Sequence, residues 1–176
     1  PYFPFGTTSY GWAHQPEPLA GQTLDSLRTG PFNKIRFCVL PHHSRHSASC
    51  MPCYPFVGGP ENGWDFDRFD PAWFQLMERR IDALAAIGVE ADLILFHPYC
   101  GPWPFRRMPH EVDLRYVRYL VARFATFRNV WWSLANEYDF IPEKTVADWD
   151  DLCRATAAAD PYGHLLSIHN GTVLYA

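Results

Sequence analysis

The hydrophobic positions of this chain alternate between two periods. Short apolar runs rich in aromatic and β-branched residues fall at residues 2–8, 33–40 and 89–96, in the run that opens at Asn129, and at 165–168. These predict five strands. Between them, apolar residues recur at helical spacing. One stripe is Phe74, Met77, Ile81, Leu84 and Ala85; a second is Leu114, Val117, Leu120, Val121 and Phe124; a third is Val146, Trp149, Leu152 and Cys153. Asp70-Pro71 supplies an N-cap and a first-turn proline for the first stripe, and Gly88 a stop. Glu111 and Asp113 suit the first turn of the second, where carboxylates meet the positive end of the helix dipole. A shorter helix is predicted over residues 24–29, capped by Thr23 and stopped by Gly30-Pro31. Residues 41–64 are crowded with Pro, Gly, His and Ser and hold neither period. A loop of that length is usually functional or disordered.

Strands alternating with helices predict an α/β fold with a parallel sheet. Two architectures compete, an open doubly wound sheet and a (β/α)8 barrel. No Gly-rich phosphate loop follows the first strand, which weakens the nucleotide-binding version of the former. Barrel enzymes carry their chemistry at the C-terminal ends of several strands. Here Trp12 and His14 follow strand one, His97 strand three, Asn136-Glu137 strand four and His169 strand five. The pattern favours a partial TIM (β/α)8 barrel, strands one to about five with their intervening helices. A complete barrel needs about 250 residues, so the 176 residues read as a single incomplete catalytic domain, residues 1–176, with the C-terminal barrel strands absent. Unclosed sheet edges predict self-association.

Composition narrows the function. The chain is 48% hydrophobic, ample for one core, and no apolar stretch is long enough to span a bilayer. A net charge of -4 gives no basic footprint for nucleic acid. The five cysteines are odd in number, and Cys38 and Cys153 sit in apolar segments. That predicts reduced thiols and a cytoplasmic location. The 16% aromatic content suits a carbohydrate partner, whose apolar ring faces stack on flat side chains, and suits a large core equally.

The chemistry concentrates in Asn129-Val130-Trp131-Trp132-Ser133-Leu134-Ala135-Asn136-Glu137-Tyr138-Asp139. A buried strand that ends abruptly in polar groups delivers them to a site. Glycoside hydrolysis needs a carboxylic acid whose proton is held by partly apolar surroundings. Glu137, beside Trp131, Trp132 and Tyr138, fits that role, with Asn136 as a substrate ligand. The alternative is that the pair merely caps the next turn. Asp139 reads as a loop or capping residue. Arg36, mid-strand between Ile35 and Phe37, either orients a catalytic carboxylate or pairs structurally with Asp92. His97 and His169 are placed to bond a sugar hydroxyl or a carboxylate. Trp12, His14, Tyr99 and Trp103 complete the candidate substrate contacts, with Trp103 and Phe105 forming a stacking platform or packing their own loop. A competing cluster, His42, His43, His46, Cys50 and Cys53, has zinc-like spacing but no second well-spaced pair. No metal and no cofactor are therefore expected.

These motifs resemble the apiosidase-like bacterial glycoside hydrolases. The resemblance rests on Phe5-Gly6-Thr7-Thr8-Ser9-Tyr10-Gly11-Trp12, on Phe32-Asn33-Lys34-Ile35-Arg36, on Ala91-Asp92-Leu93-Ile94-Leu95-Phe96-His97-Pro98-Tyr99 and on the stretch from Trp131 to Asp139. It covers nearly the whole chain and implies a (β/α)8 glycosidase of clan A type. In that clan an Asn-Glu pair ending strand four supplies the acid/base, which falls on Asn136 and Glu137. The clan's strand-two arginine and post-strand-three histidine fall on Arg36 and His97. Its nucleophile ends strand seven, which this chain lacks, and the segment around Cys50 and Cys53 departs from the family loop.

Overall fold

The computed structural model describes residues 2–42 and 54–175. Five parallel strands form one sheet: β1 (Gly6–Thr8), β2 (Lys34–Cys38), β5 (Glu90–Phe96), β6 (Val130–Ala135) and β7 (Leu166–Ser167), in that spatial order. An antiparallel hairpin, β3 (Phe56–Gly59) and β4 (Gly63–Phe69), stands apart from it. The helices are α1 (Glu17–Thr29), α2 (Pro71–Ala86), α3 (His110–Phe124) and α4 (Val146–Ala159). Spatial order follows chain order without reversal, which decides the architecture. Right-handed crossovers that always step the same way put every helix on one face. A doubly wound sheet must reverse at a switch point. The chain is therefore an arc of a (β/α)8 barrel, with β1, β2, β5, β6 and β7 as barrel strands one to five.

Period-two alternation divides the faces. On β2, Ile35 and Phe37 are fully buried, while Lys34 and Arg36 are only half-buried on the inner face. Both cations reach Asp92 on the adjacent β5, at 2.7 Å from Lys34 Nζ and 3.0 Å from Arg36 Nε. Arg36 thus makes the structural pair. Trp131 lies beside Asp92 in register and takes the Lys34 ammonium over its ring at 4.6 Å. On the other face Trp132 is buried, and its indole N–H reaches Asp160 at the end of α4 at 2.9 Å. The core lies between sheet and helices, around Phe37, Trp73, Phe74, Tyr116, Trp132 and Trp149. Each such side chain contributes roughly 1.5–3 kcal/mol by leaving water.

Three predicted segments differ. The first strand, expected over residues 2–8, is confined to Gly6–Thr8, with residues 2–5 exposed before it. The first helix begins at Glu17, not 24, and Thr23 lies inside it, donating to the Leu19 carbonyl. Pro18 is tolerated in the first turn, where the backbone N–H has no helical partner. Only Ala20 and Leu27 of α1 are buried, so no apolar stripe announces it. The long loop predicted over residues 41–64 contains β3 and the start of β4. Trp64 and Phe66 are half-buried while Asp65 and Asp67 face solvent, a strand alternation that Pro and Gly obscure at its start. Gly58 sits at φ 118°, and a Cβ there would meet the Gly63 carbonyl oxygen at 2.1 Å, so the hairpin requires glycine. Phe56 of the hairpin packs edge-on to Phe66 and stacks near Phe105.

Candidate active site

Polar groups converge where β5 and β6 end. β6 stops because Glu137 takes a left-handed backbone, φ 52°, which no other non-glycine among the described residues adopts. Such a conformation costs about 1–3 kcal/mol and clusters at functional sites. It is held by its neighbours. The Asn136 N–H donates to the Phe96 carbonyl, the His169 N–H to Ala135 and the Tyr138 N–H back to His169, at 3.0, 2.9 and 3.1 Å. The ladder from β6 to β7 thus continues past the strand ends and fixes the turn.

Three side chains form a chain of donors. The Asn136 amide donates to the Tyr99 hydroxyl oxygen at 3.0 Å. The Tyr99 hydroxyl in turn donates to Glu137 Oε2. Burial raises the Tyr99 pKa, and the Glu137 hydrogen bond and charge raise it further, so the phenol keeps its proton and remains a donor. Tyr10, on the loop after β1, stacks on Tyr99 with ring centroids 5.7 Å apart and planes 19° apart. His97 stacks on Tyr99 from 5.6 Å at 18°.

The imidazoles here hold structure. His97 is fully buried, and burial pulls its pKa down to about 3. It is therefore neutral. Its Nδ1 accepts from the Tyr99 N–H at 3.2 Å, so Nε2 carries the proton and donates to the Leu40 carbonyl at 2.9 Å. His14 is also buried, its pKa lowered by burial to about 4, and bonds the Cys38 carbonyl at 3.0 Å. Two neutral imidazoles thus brace the chain as it leaves β2.

The expected site residues separate into two groups. Glu137, Asn136 and Tyr99 come together directly. Trp12 and His14 do not reach the site surface: Trp12 is fully buried, donates to the Ala20 carbonyl at 3.2 Å and packs edge-on to Phe37. His97 acts from beneath, through Tyr99. His169 is exposed at the end of β7, linked through its backbone. Trp103 is half-buried, edge-on to Tyr54 at 5.7 Å. Asp139 is a loop clamp, accepting from the backbone N–H groups of Gly171, Thr172 and Val173 and from the Thr172 hydroxyl at 2.6–2.9 Å. Tyr10 and His42 also face Tyr99, their rings at 5.7 and 5.4 Å. From sequence Tyr10 stood only within the first family-like stretch and His42 only in the competing His/Cys cluster, neither as a contact at this site.

No group of three or more His, Cys, Asp or Glu side chains converges for a metal among the described residues. Of the His/Cys cluster, His43, His46, Cys50 and Cys53 lie outside them. Cys38, Cys100 and Cys153 are free thiols. No helix among the described residues is long and apolar enough to cross a membrane.

The model of the apiosidase-like catalytic domain matches residues 10–175. The chain belongs to the apiosidase-like family. A Bacteroides vulgatus protein assigned to the glycoside hydrolases superimposes with a TM-score of 0.92 at 48% identity, over 99% of this chain and 36% of its own. The chain thus spans little more than a third of that relative. A glycoside hydrolase family 5 member from the same organism matches at TM-score 0.70 and 16% identity over 98% of this chain and 36% of its own. An exo-β-1,4-mannosidase from Opitutaceae bacterium matches at 0.67 and 20% over 94% and 32%. The last two support the barrel fold alone. A search of curated proteins returned no match. Apiosidase-like membership and the 48% identical relative together relate the chain to the glycoside hydrolases.

Proposed function

We propose that this chain forms the acid/base-bearing part of a retaining glycoside hydrolase acting on a carbohydrate, as a single incomplete (β/α)8 domain. Glu137 protonates the departing glycosidic oxygen and later activates water. The nucleophilic carboxylate comes from a barrel segment beyond strand five. The observation that carries this reading is Glu137 itself. It is a half-buried carboxylate on a left-handed turn at the end of barrel strand four, bonded to Tyr99 beside Asn136. A carboxylate presented at that end of a barrel strand is where barrel enzymes place their chemistry. Retention requires two carboxyl groups about 5–5.5 Å apart. Asp139 does not supply the second, because four donors occupy it. Sugar contacts are assigned to Asn136, Tyr99, His169 and Trp103.

The test is hydrolysis of a panel of aryl glycosides by this chain and by a version extended through the remaining barrel strands. The extended version is expected to cleave, and Glu137→Gln to lower its kcat at least 10²-fold, the lower end for general acid–base groups. Full turnover in that variant would remove Glu137 from the mechanism.

A further inference from the structure

Tyr99 is held more firmly than a ligand contact requires. Its ring stacks on Tyr10 and on His97. Its backbone N–H is fixed on His97 Nδ1, and His97 is fixed on the Leu40 carbonyl. Its hydroxyl oxygen accepts from Asn136, leaving the hydroxyl proton one direction, toward Glu137 Oε2. Contacts from the ends of three barrel strands and from the loop after β2 thus converge on one phenol. Side chains that must hold geometry closely are locked in this way by packing and by a further layer of hydrogen bonds.

We infer that Tyr99 is the positioning residue for Glu137: its phenol, aimed by Asn136, Tyr10 and His97, fixes the carboxyl's orientation before any sugar arrives. The inference rests on the reading of Glu137 as the acid/base. A carboxylate on a left-handed turn at the end of a strand has free χ angles, and a wandering acid loses the orientation that gives proximity its effect. One preorganised donor removes that freedom and leaves Oε1 to face the leaving oxygen.

Among the described residues, these charged and titratable groups act around this pair. Tyr10 and Glu137 act on the Tyr99 phenol directly. Arg36 and Cys38 on β2 act on Tyr10. His42 faces Tyr99 from the loop after β2, and His97 is neutral throughout the working range.

The experiment is NMR of this chain with 13Cδ-glutamate and 13Cζ-tyrosine labels, at fixed neutral pH. The Glu137 and Tyr99 signals are assigned by their loss in Glu137→Gln and Tyr99→Phe. In Tyr99→Phe the Glu137 carboxyl resonance is expected to shift while the other glutamates hold. In Glu137→Gln the Tyr99 phenol resonance is expected to shift while the other tyrosines hold. A general loosening of the fold would move many resonances, not these two. If either signal stays in place in a folded variant, the inference is overturned. Should Tyr99→Phe fail to fold, the Tyr99 resonance is assigned through its bonded nuclei in the unsubstituted chain, and its shift in Glu137→Gln decides alone. These readouts need no turnover. A failed positioning role therefore shows as unmoved resonances, and a failed acid/base role as retained hydrolysis in Glu137→Gln.

Discussion

Glu137 and Asp139 stand two residues apart at the same end of the same strand, and the fold uses them oppositely. Asp139 is saturated. Desolvation, the largest single influence, raises its pKa, but three backbone N–H groups and a hydroxyl from residues 171–173 occupy its oxygens and together hold it well below the usual carboxylate range. A carboxylate with that many donors is fixed as an anion and ties the loop after β7 to the loop after β6. Among the described residues Glu137 takes one donor, the Tyr99 hydroxyl, on Oε2. The contrast shows how a site separates chemistry from scaffold. Donor count, not proximity in sequence, decides which carboxylate remains available.

The largest break in this comparison is the loss of turnover expected from Glu137→Gln, whereas Asp139→Asn in the same protein should retain most of kcat and pay in stability. If Asp139→Asn proved as inactive as Glu137→Gln, the division of labour would be wrong.

Next in size is the strut beneath both loops. Lys144, at the end of the Glu137 loop, pairs with Asp113 on α3, and both side chains are buried. Lys144→Met removes the partner of the buried Asp113 carboxyl, which then holds its proton at neutral pH, and should cost about 1–3 kcal/mol for the hydrogen bonds left unmade, read as a fall in the urea midpoint. Burial pushes the Asp113 pKa up to about 7, with Lys144 pulling the other way. The folded state therefore binds this proton more tightly than the unfolded chain does. Its contribution should make stability fall as pH rises from about 4, the unfolded value, through 7. Asp139 has the opposite sign. Its depressed pKa stabilises the fold above about 4, and that contribution is lost as pH falls below it. Urea midpoints across pH should show a smaller acid-side loss in Asp139→Asn, with Asp160 and Asp148 still contributing, and in Asp113→Asn the loss of the fall toward pH 7, leaving the opposite contribution of the buried, neutral His14 and His97.

Asp139→Ala sharpens the picture by location. Backbone amides of residues 171–173 should lose hydrogen-exchange protection more than any others, while those of β5 stay protected. The smallest effect is expected at Gly171, where an added Cβ would sit 2.6 Å from the exposed Phe140 ring. Gly171→Ala should cost about 1 kcal/mol, the low end of overpacking, and Phe140→Ala should recover it. A failure of that rescue would place the clash in the backbone.

Strand and helix periods, the N-cap at Asp70 and the strand-end position of Asn136-Glu137 were legible in the chain, because each depends on residues close together in sequence; Asp139 was legible as a loop residue, but its partners, residues 171–173, were not. Strong apolar stripes marked α2, α3 and α4. Where the stripe was absent, in α1, or interrupted by Pro and Gly, in the β3–β4 hairpin, local reading misplaced the boundary. Sequence alone determined the alternating α/β order and put a carboxylate at the end of a buried strand. Only the tertiary structure decided which groups meet there. The unreversed sheet order brings the loops after β1, β5 and β6 together, so Tyr10, Tyr99 and Glu137 converge from positions 10, 99 and 137. The same packing buries Trp12 and His14, because a side chain at a strand end faces core or site according to how the following turn rotates it. That rotation is set by long-range contacts, which no local pattern encodes.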